Sequence, residues 1–151
     1  GIRRFKAATI AEAEMCAMAG APDVLLAYPA VGPTAGRLAE LVRRYPETRF
    51  LALTDHSESL AALGEALRRA GVTLEVLVDL NVGMSRTGIA PGEPAFELYR
   101  QLAITPGVRP GGLHAYDGHL HQPDRSERTA AATAAFAAVW TLRDRLRAAG
   151  F

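Results

Sequence analysis

The sequence has one cysteine, one lysine, no long apolar run and almost no net charge, and each shortage removes a class of protein. Cys16 alone excludes an internal disulfide framework and a cysteine-built zinc site, and it makes a reducing cytoplasm the expected compartment. Seventeen basic residues against sixteen acidic ones leave a formal charge of +1. That balance gives no electrostatic case for a nucleic-acid partner. No stretch reaches the length needed to cross a bilayer and none has the layout of a signal peptide, so no membrane partner is expected. Lys6 is the lone lysine, the other sixteen basic residues being arginines. With the abundance of alanine, this reads as the signature of a GC-rich bacterial genome. No GxGxxG, Walker A, GxSxG or HExxH pattern occurs.

What is present is a regular alternation of short apolar runs and helical periods over 151 residues, 49% of them hydrophobic. That is enough chain for one domain, residues 1–151, with a core of its own. Arg3–Ala8 reads as a strand. Thr9 and Glu12 then have the spacing of a capping box, opening a helix from Ile10 to about Ala19. Val24–Tyr28 is a second strand, after which Thr34 is placed to cap a helix bearing Leu38, Leu41, Val42 and Tyr45. Arg49–Leu53 is a third strand. Asp55 and Glu58 repeat the capping spacing before a helix marked by Leu60, Leu63 and Leu67. Thr73–Leu80 is a fourth strand, and Pro94 suits the first turn of a helix burying Phe96, Tyr99 and Leu102. Val108–Tyr116 is a fifth strand, followed by a long helix from Arg125 to Ala149. Phe136 and Trp140, four residues apart on that helix, read as core.

Five consecutive βα units imply α/β architecture with parallel strands and right-handed crossovers. An open doubly wound sheet and a partial (β/α)8 TIM barrel both fit. A complete barrel takes about 250 residues, so five units are what this length allows. In either arrangement chemistry sits at the carboxyl ends of the strands. Most of the polar residues fall in the five strand-end segments Ala8-Thr9, Tyr28–Pro33, Thr54–Ser57, Asn81–Gly88 and His114–His121. Arg86 lies between Gly83 and Gly88 as a forked, permanent cation suited to a phenolate, carboxylate or phosphate. Tyr116 can stack on a flat ligand. Asp117, His119 and His121, with Asp79 or Asp55, have the residue types of a metal site that activates water, which makes a metal-dependent barrel hydrolase the rival reading.

The run Val78-Asp79-Leu80-Asn81-Val82-Gly83-Met84-Ser85-Arg86-Thr87-Gly88-Ile89 resembles the D-x-G-M-x-R-x-G signature of fold-type III pyridoxal phosphate enzymes, the alanine racemase N-terminal-domain superfamily. Ala8-Thr9-Ile10-Ala11-Glu12-Ala13 is similar to that superfamily's A-T-x-x-E-A step. Gly112-Leu113-His114-Ala115-Tyr116-Asp117-Gly118-His119 resembles the G-L-x-x-Y-x-G-H run of its D-threonine aldolase and D-serine dehydratase branch. The three motifs follow the family's order and cover most of the chain.

The resemblance implies a barrel holding pyridoxal 5'-phosphate at its C-terminal rim. Arg86 would bond the cofactor's phenolic oxygen and Tyr116 would lie against the pyridine ring. Thr9 would line the pocket, with His119 and Asp55 nearby, and Tyr116 and His119 are the candidate catalytic groups. The substrate would be a small D- or β-hydroxy amino acid, undergoing aldol cleavage, dehydration or racemisation. The family's Schiff-base lysine lies at the end of its first barrel strand, whereas Lys6 lies within the strand matching its third. The chain, which begins at Gly1 on residues already strand-like, is therefore expected to be a fragment covering roughly barrel strands three to seven. Alone it is expected to be inactive. The resemblance also implies a homodimer for the full-length parent and a divalent metal held in a C-terminal β-domain. A non-enzymatic reading rests on the two open edges of a five-unit sheet, which invite pairing with a second copy.

Overall fold

The computed structural model describes residues 1–151. Five strands and five helices alternate: β1 Arg4–Ala7, α1 Ile10–Met18, β2 Asp23–Pro29, α2 Pro33–Arg44, β3 Arg49–Thr54, α3 Ser57–Ala70, β4 Leu74–Leu80, α4 Glu93–Ile104, β5 Val108–Ala115 and α5 Arg125–Ala148. The strands form one sheet in the order β1-β2-β3-β4-β5, every neighbouring pair parallel. A doubly wound sheet reverses its strand order at a switch point. No reversal occurs here, so each crossover steps the same way, as in a barrel. Curvature follows from one contact: Lys6 on β1 and His114 on β5, at opposite ends of the sheet, have Nζ and Nε2 3.2 Å apart. A flat sheet would hold its first and fifth strands about 19 Å apart, four spacings of roughly 4.8 Å each. The structure is a partial (β/α)8 barrel.

The two faces of the sheet differ. Val24, Leu26, Phe50, Ala52, Val76 and Val78 join Leu38, Leu60, Leu63, Leu67 and Leu102 in the main apolar cluster, between the sheet and its helices. Each of these leucines, removed from water, contributes about 1.5–3 kcal/mol. Leu51 and Leu53 are also buried but lie outside that cluster, level with Leu25 and Leu77 on the opposite face of the sheet. Continuous apolar strands are the cost of covering both faces.

Most helix starts agree with the sequence pattern, and two differ for local reasons. At α1 the capping box forms as expected: the Thr9 hydroxyl accepts from the Glu12 amide at 3.2 Å and the Glu12 carboxylate accepts from the Thr9 amide at 3.1 Å. Helix α2 starts at Pro33 with Gly32 as its N-cap, so Thr34 sits inside the first turn. Proline is favoured there because its fixed φ suits a helix start and its missing N–H is not needed. Helix α3 is capped by His56, whose Nδ1 accepts from the Glu58 amide at 3.2 Å. Asp55 is drawn away to another partner, described below. Trp140 is also a correction: it is 49% exposed, with Arg143 over its ring. On α5 the buried residues are Val139, Leu142 and Leu146, so Trp140 is turned about 100° off that face.

The amino-terminal ends of the strands are tied by charge. Arg49 donates to Asp23 at 2.6 Å and to both carboxylate oxygens of Glu75, joining β2, β3 and β4. Hydrogen bonding from Arg49 holds the Glu75 carboxyl below its ordinary value of 4.5, with Arg109 adding attraction and burial opposing it. A depressed carboxylate stabilises the fold above its unfolded-state pKa and loses that contribution as pH falls through the folded-state value. Glu75→Gln is therefore less stable than the parent at neutral pH, and the gap between their urea midpoints closes as pH falls below 4.5. A gap constant through that window contradicts the assignment.

Gly64 marks a tight crossing of α3 against the turn after α4. A Cβ there would stand 2.5 Å from Thr105 Cγ2 and 3.0 Å from the Pro106 carbonyl oxygen. Gly64→Ala is expected to cost about 1–3 kcal/mol in chemical denaturation, the usual cost of overpacking.

Candidate active site

The carboxyl ends of the strands carry the polar side chains, and one buried carboxylate organises them. Asp79, on β4, is 3% exposed. A charge so buried must be paired and hydrogen-bonded. Its Oδ1 lies 2.7 Å from His114 Nδ1, and its Oδ2 accepts from the Thr87 hydroxyl at 2.8 Å. Asp79 and His114 are register partners across β4 and β5, which places them on one face. A carboxylate can only accept, so the His114 proton resides on Nδ1 and Nε2 is left as an acceptor. The Lys6 ammonium donates to that Nε2 at 3.2 Å. Asp79 thus fixes the tautomer of His114, and His114 fixes the direction of Lys6.

The loop from Asn81 to Gly88 is closed on its own stem. The Asn81 amide donates to the Ile89 carbonyl at 2.9 Å and the Ile89 amide to the Asp79 carbonyl at 3.0 Å. Inside the loop, Asn81 Oδ1 accepts from the amides of Gly83 and Ser85, each at 3.0 Å. From outside, Asp55 Oδ2 accepts from the Gly88 amide at 2.9 Å. This is the partner that takes Asp55 from the helix cap. Gly88 has φ +98°, and a Cβ there would meet the Asn81 amide nitrogen at 2.6 Å, so only glycine fits. The pinned loop carries Arg86, whose guanidinium carbon lies 5.0 Å from the Tyr28 ring centroid and 5.5 Å from that of Tyr116. Lys6 Nζ lies 5.7 Å from the same Tyr116 ring. Such cation–ring contacts contribute about 0.5–2 kcal/mol each.

These groups open onto a cavity of about 550 Å³, lined by Lys6, Glu12, Tyr28, Arg86, His114 and Tyr116 over a wall of Ala7, Ala8, Ala27, Met15 and Cys16. Arg86 and Tyr116 are thus brought together. Thr9 lies outside this lining, its hydroxyl occupied by the helix cap. His119 also lies outside it and packs on the Arg86 loop: a Cβ on Gly83 would stand 2.5 Å from His119 Nε2. His119 Nδ1 and, beyond it, Gln122 Oε1 are buried without a hydrogen-bond partner. The metal reading is corrected by the same geometry. Asp117 and His121 are exposed while His119 turns in toward Gly83, and no three metal-ligating side chains converge anywhere in the chain.

Sequence reasoning placed Tyr28 and His114 in strand-end segments without giving either a role, and did not place Lys6 in the pocket. His114 and Asp79 had one signal: each is a polar residue set inside an otherwise apolar strand. Tyr28 had its place at a strand end, and Lys6 had only the rarity of lysine.

The comparisons with known proteins bear on family and fold. Residues 1–151 match the family described as alanine racemase, N-terminal domain. The chain is 30% identical over 129 residues to a D-threonine aldolase of an Arthrobacter species, covering 85% of this chain and 34% of that one. It is 31% identical over 145 residues to a 3-hydroxy-D-aspartate aldolase of Paracoccus denitrificans, covering 93% and 36%. The crystal structure of D-threonine aldolase from Filomicrobium marinum superposes with a TM-score of 0.90 at 34% identity, covering 97% of this chain and 39% of that one. An alanine racemase of Clostridium difficile shares the fold, with a TM-score of 0.76 at 18% identity and 99% and 38% covered. The chain spans about a third of the length of the curated relatives.

Replacing Gly83 by alanine tests the seat of His119. Its φ is +125° and the added Cβ collides with the imidazole. Backbone strain of this kind costs about 1–3 kcal/mol. Gly83→Ala is expected to lower the urea midpoint accordingly and to move the His119 ring resonances, leaving those of His56 in place.

Proposed function

Because the chain belongs to the alanine racemase N-terminal domain family, we propose that it supplies the cofactor-facing rim of a pyridoxal-phosphate-dependent lyase or racemase. The substrate is a D- or β-hydroxy amino acid, and aldol cleavage is the favoured reaction because D-threonine and 3-hydroxy-D-aspartate aldolases are among the relatives. The observation that carries this reading is Arg86, held on a pinned loop between the rings of Tyr28 and Tyr116 at the cavity mouth.

The residues present fit the cofactor. An arginine without a carboxylate partner suits a phenolic oxygen, and an exposed tyrosine ring beside it suits a flat heterocycle. The partnerless His119 Nδ1 shows that the rim's polar groups are not all satisfied within the chain. Pyridoxal phosphate, when bound, supplies a sink for the electron pair released when a bond at the amino acid's α-carbon breaks. The chain's own share is orientation and charge. Arg86 would donate to the phenolic oxygen of the cofactor, and the Tyr116 ring would lie against its pyridine ring. His119, the other candidate catalytic group, sits behind the Arg86 loop with its ring seated against Gly83. Thr9 acts through the start of α1, whose cap it makes, rather than by touching the ligand. Lys6 is given no covalent role, since its Nζ is engaged by His114.

Finer features accompany this reading. A homodimeric, bacterial, cytoplasmic enzyme fits the single cysteine and the arginine-rich composition, and a divalent metal would be held by residues other than these. No helix is long and apolar enough to cross a membrane.

Equilibrium dialysis of the chain against pyridoxal phosphate tests the assignment. Saturable binding is expected, with Arg86→Gln weakening it about tenfold, equivalent to 1.4 kcal/mol. Borohydride treatment is expected to leave Lys6 no more labelled than the Gly1 amine, which intact and peptide mass read cleanly because the chain has one lysine. The chain alone is expected not to turn over D-threonine. Undetectable binding, or binding indifferent to Arg86, overturns the reading.

A further inference from the structure

The charges around the cavity are unevenly spent. Three acids stand near it, and each is consumed by donors of the chain itself. Glu12 Oε2 accepts from the amides of Ala8 at 2.6 Å and Thr9 at 3.1 Å. Asp55 holds the Gly88 amide, and Asp79 holds His114 and Thr87. Neither Lys6 nor Arg86 makes an ion pair with any carboxylate. The pocket therefore presents two cations bonded to no carboxylate, while its one lining acid, Glu12, is directed through Oε2 to the amides of Ala8 and Thr9. Arg86 is accounted for by a phenolic oxygen on the reading above. Lys6 is not.

The surroundings of Lys6 argue that its position is built rather than incidental. His114 accepts one of its three N–H donors, and Asp79 and Thr87 fix the orientation of His114 behind it. The two remaining donors stay available at the cavity, beside the Tyr116 ring and above a wall of small apolar residues. A neutral β-hydroxy side chain would leave those two donors to solvent, with no carboxylate bonded to the ammonium. An amino acid's α-carboxylate is offset by its own ammonium group, whereas a second carboxylate is not. We propose that Lys6 is a specificity-determining residue that pairs with the side-chain carboxylate of the substrate, so that the pocket takes an acidic, dicarboxylic β-hydroxy amino acid in preference to a neutral one. The inference rests on the amino-acid-enzyme reading and names its substrate class.

Binding to the chain is the readout, independent of turnover. D-Aspartate and D-threonine are titrated into the wild type, Lys6→Met, Lys6→Gln and Lys6→Arg by calorimetry, with circular dichroism to confirm folding. D-Aspartate is expected to bind the wild type about tenfold more tightly than D-threonine, a difference of 1.4 kcal/mol. Lys6→Met and Lys6→Gln are expected to erase that preference, and Lys6→Arg to retain part of it. Equal binding of the two amino acids by the wild type, or a preference that survives in both neutral variants, overturns the proposal. Inorganic phosphate is titrated alongside: a Lys6-dependent response stronger than that to D-aspartate assigns the ammonium to a phosphoryl group and also overturns it. Pyridoxal phosphate is dialysed separately, so a failure of cofactor binding sinks the cofactor reading while the aspartate preference still stands or falls on Lys6.

Discussion

A carboxylate buried at 3% exposure has few affordable arrangements, and the one adopted by Asp79 organises the rim of the fold. Each oxygen needs a donor, because an unpaired buried charge costs several kcal/mol, on the order of 3–5 when a partner is removed. One donor comes from the neighbouring strand through His114, the other from the Arg86 loop through Thr87. The first ties β4 to β5 beyond their backbone ladder. The second fixes the loop that carries the principal cation. Because a carboxylate only accepts, it also dictates which nitrogen of His114 bears the proton, and that dictates how Lys6 is received. One desolvation constraint thus reaches β1, β4, β5 and the loop between β4 and α4.

The opposite ends of the strands follow a different logic. At the amino-terminal end Arg49 binds Asp23 and Glu75, cation and acids matched within the chain. Arg109 also lies toward Glu75. Those charges are spent on holding strands together. At the carboxyl end the acids are consumed by amides, a hydroxyl and an imidazole, while Lys6 and Arg86 keep no carboxylate. The same division between a stabilising face and a chemical face holds for barrels in general. Here it is visible as a difference in where charge is left over.

Much of the fold was legible because it depends on local rules. Five apolar runs, the Thr9–Glu12 capping box and Pro94 in the first turn of α4 each specify an element from a few neighbouring residues. The departures occur where a local rule met a competitor. Pro33 claimed the helix start that Thr34 could have capped. The Gly88 amide, from a loop 33 residues away in sequence, claimed Asp55. Trp140 has apolar neighbours in sequence but lies off the buried face of α5. At the site, Arg86 and Tyr116 were readable because glycines and a strand end frame them. His119 was readable as a rim residue, but not its seat on Gly83.

The contact between Lys6 and His114 was illegible for a reason that concerns the sheet as a whole. They are 108 residues apart, on strands that are not neighbours, and no pairwise register brings them together. Their contact exists because four successive parallel pairings twist and curl in the same sense, so that the first strand faces the fifth across the concave side. Each pairing adds a small rotation, and only the sum closes the gap to hydrogen-bonding distance. Lys6, which stays exposed, becomes part of the polar chain through His114 to Asp79 only in the accumulated geometry. The motif around Arg86 supplies a site that can be named from sequence, but the charge that selects among ligands is set by curvature, which no short motif encodes.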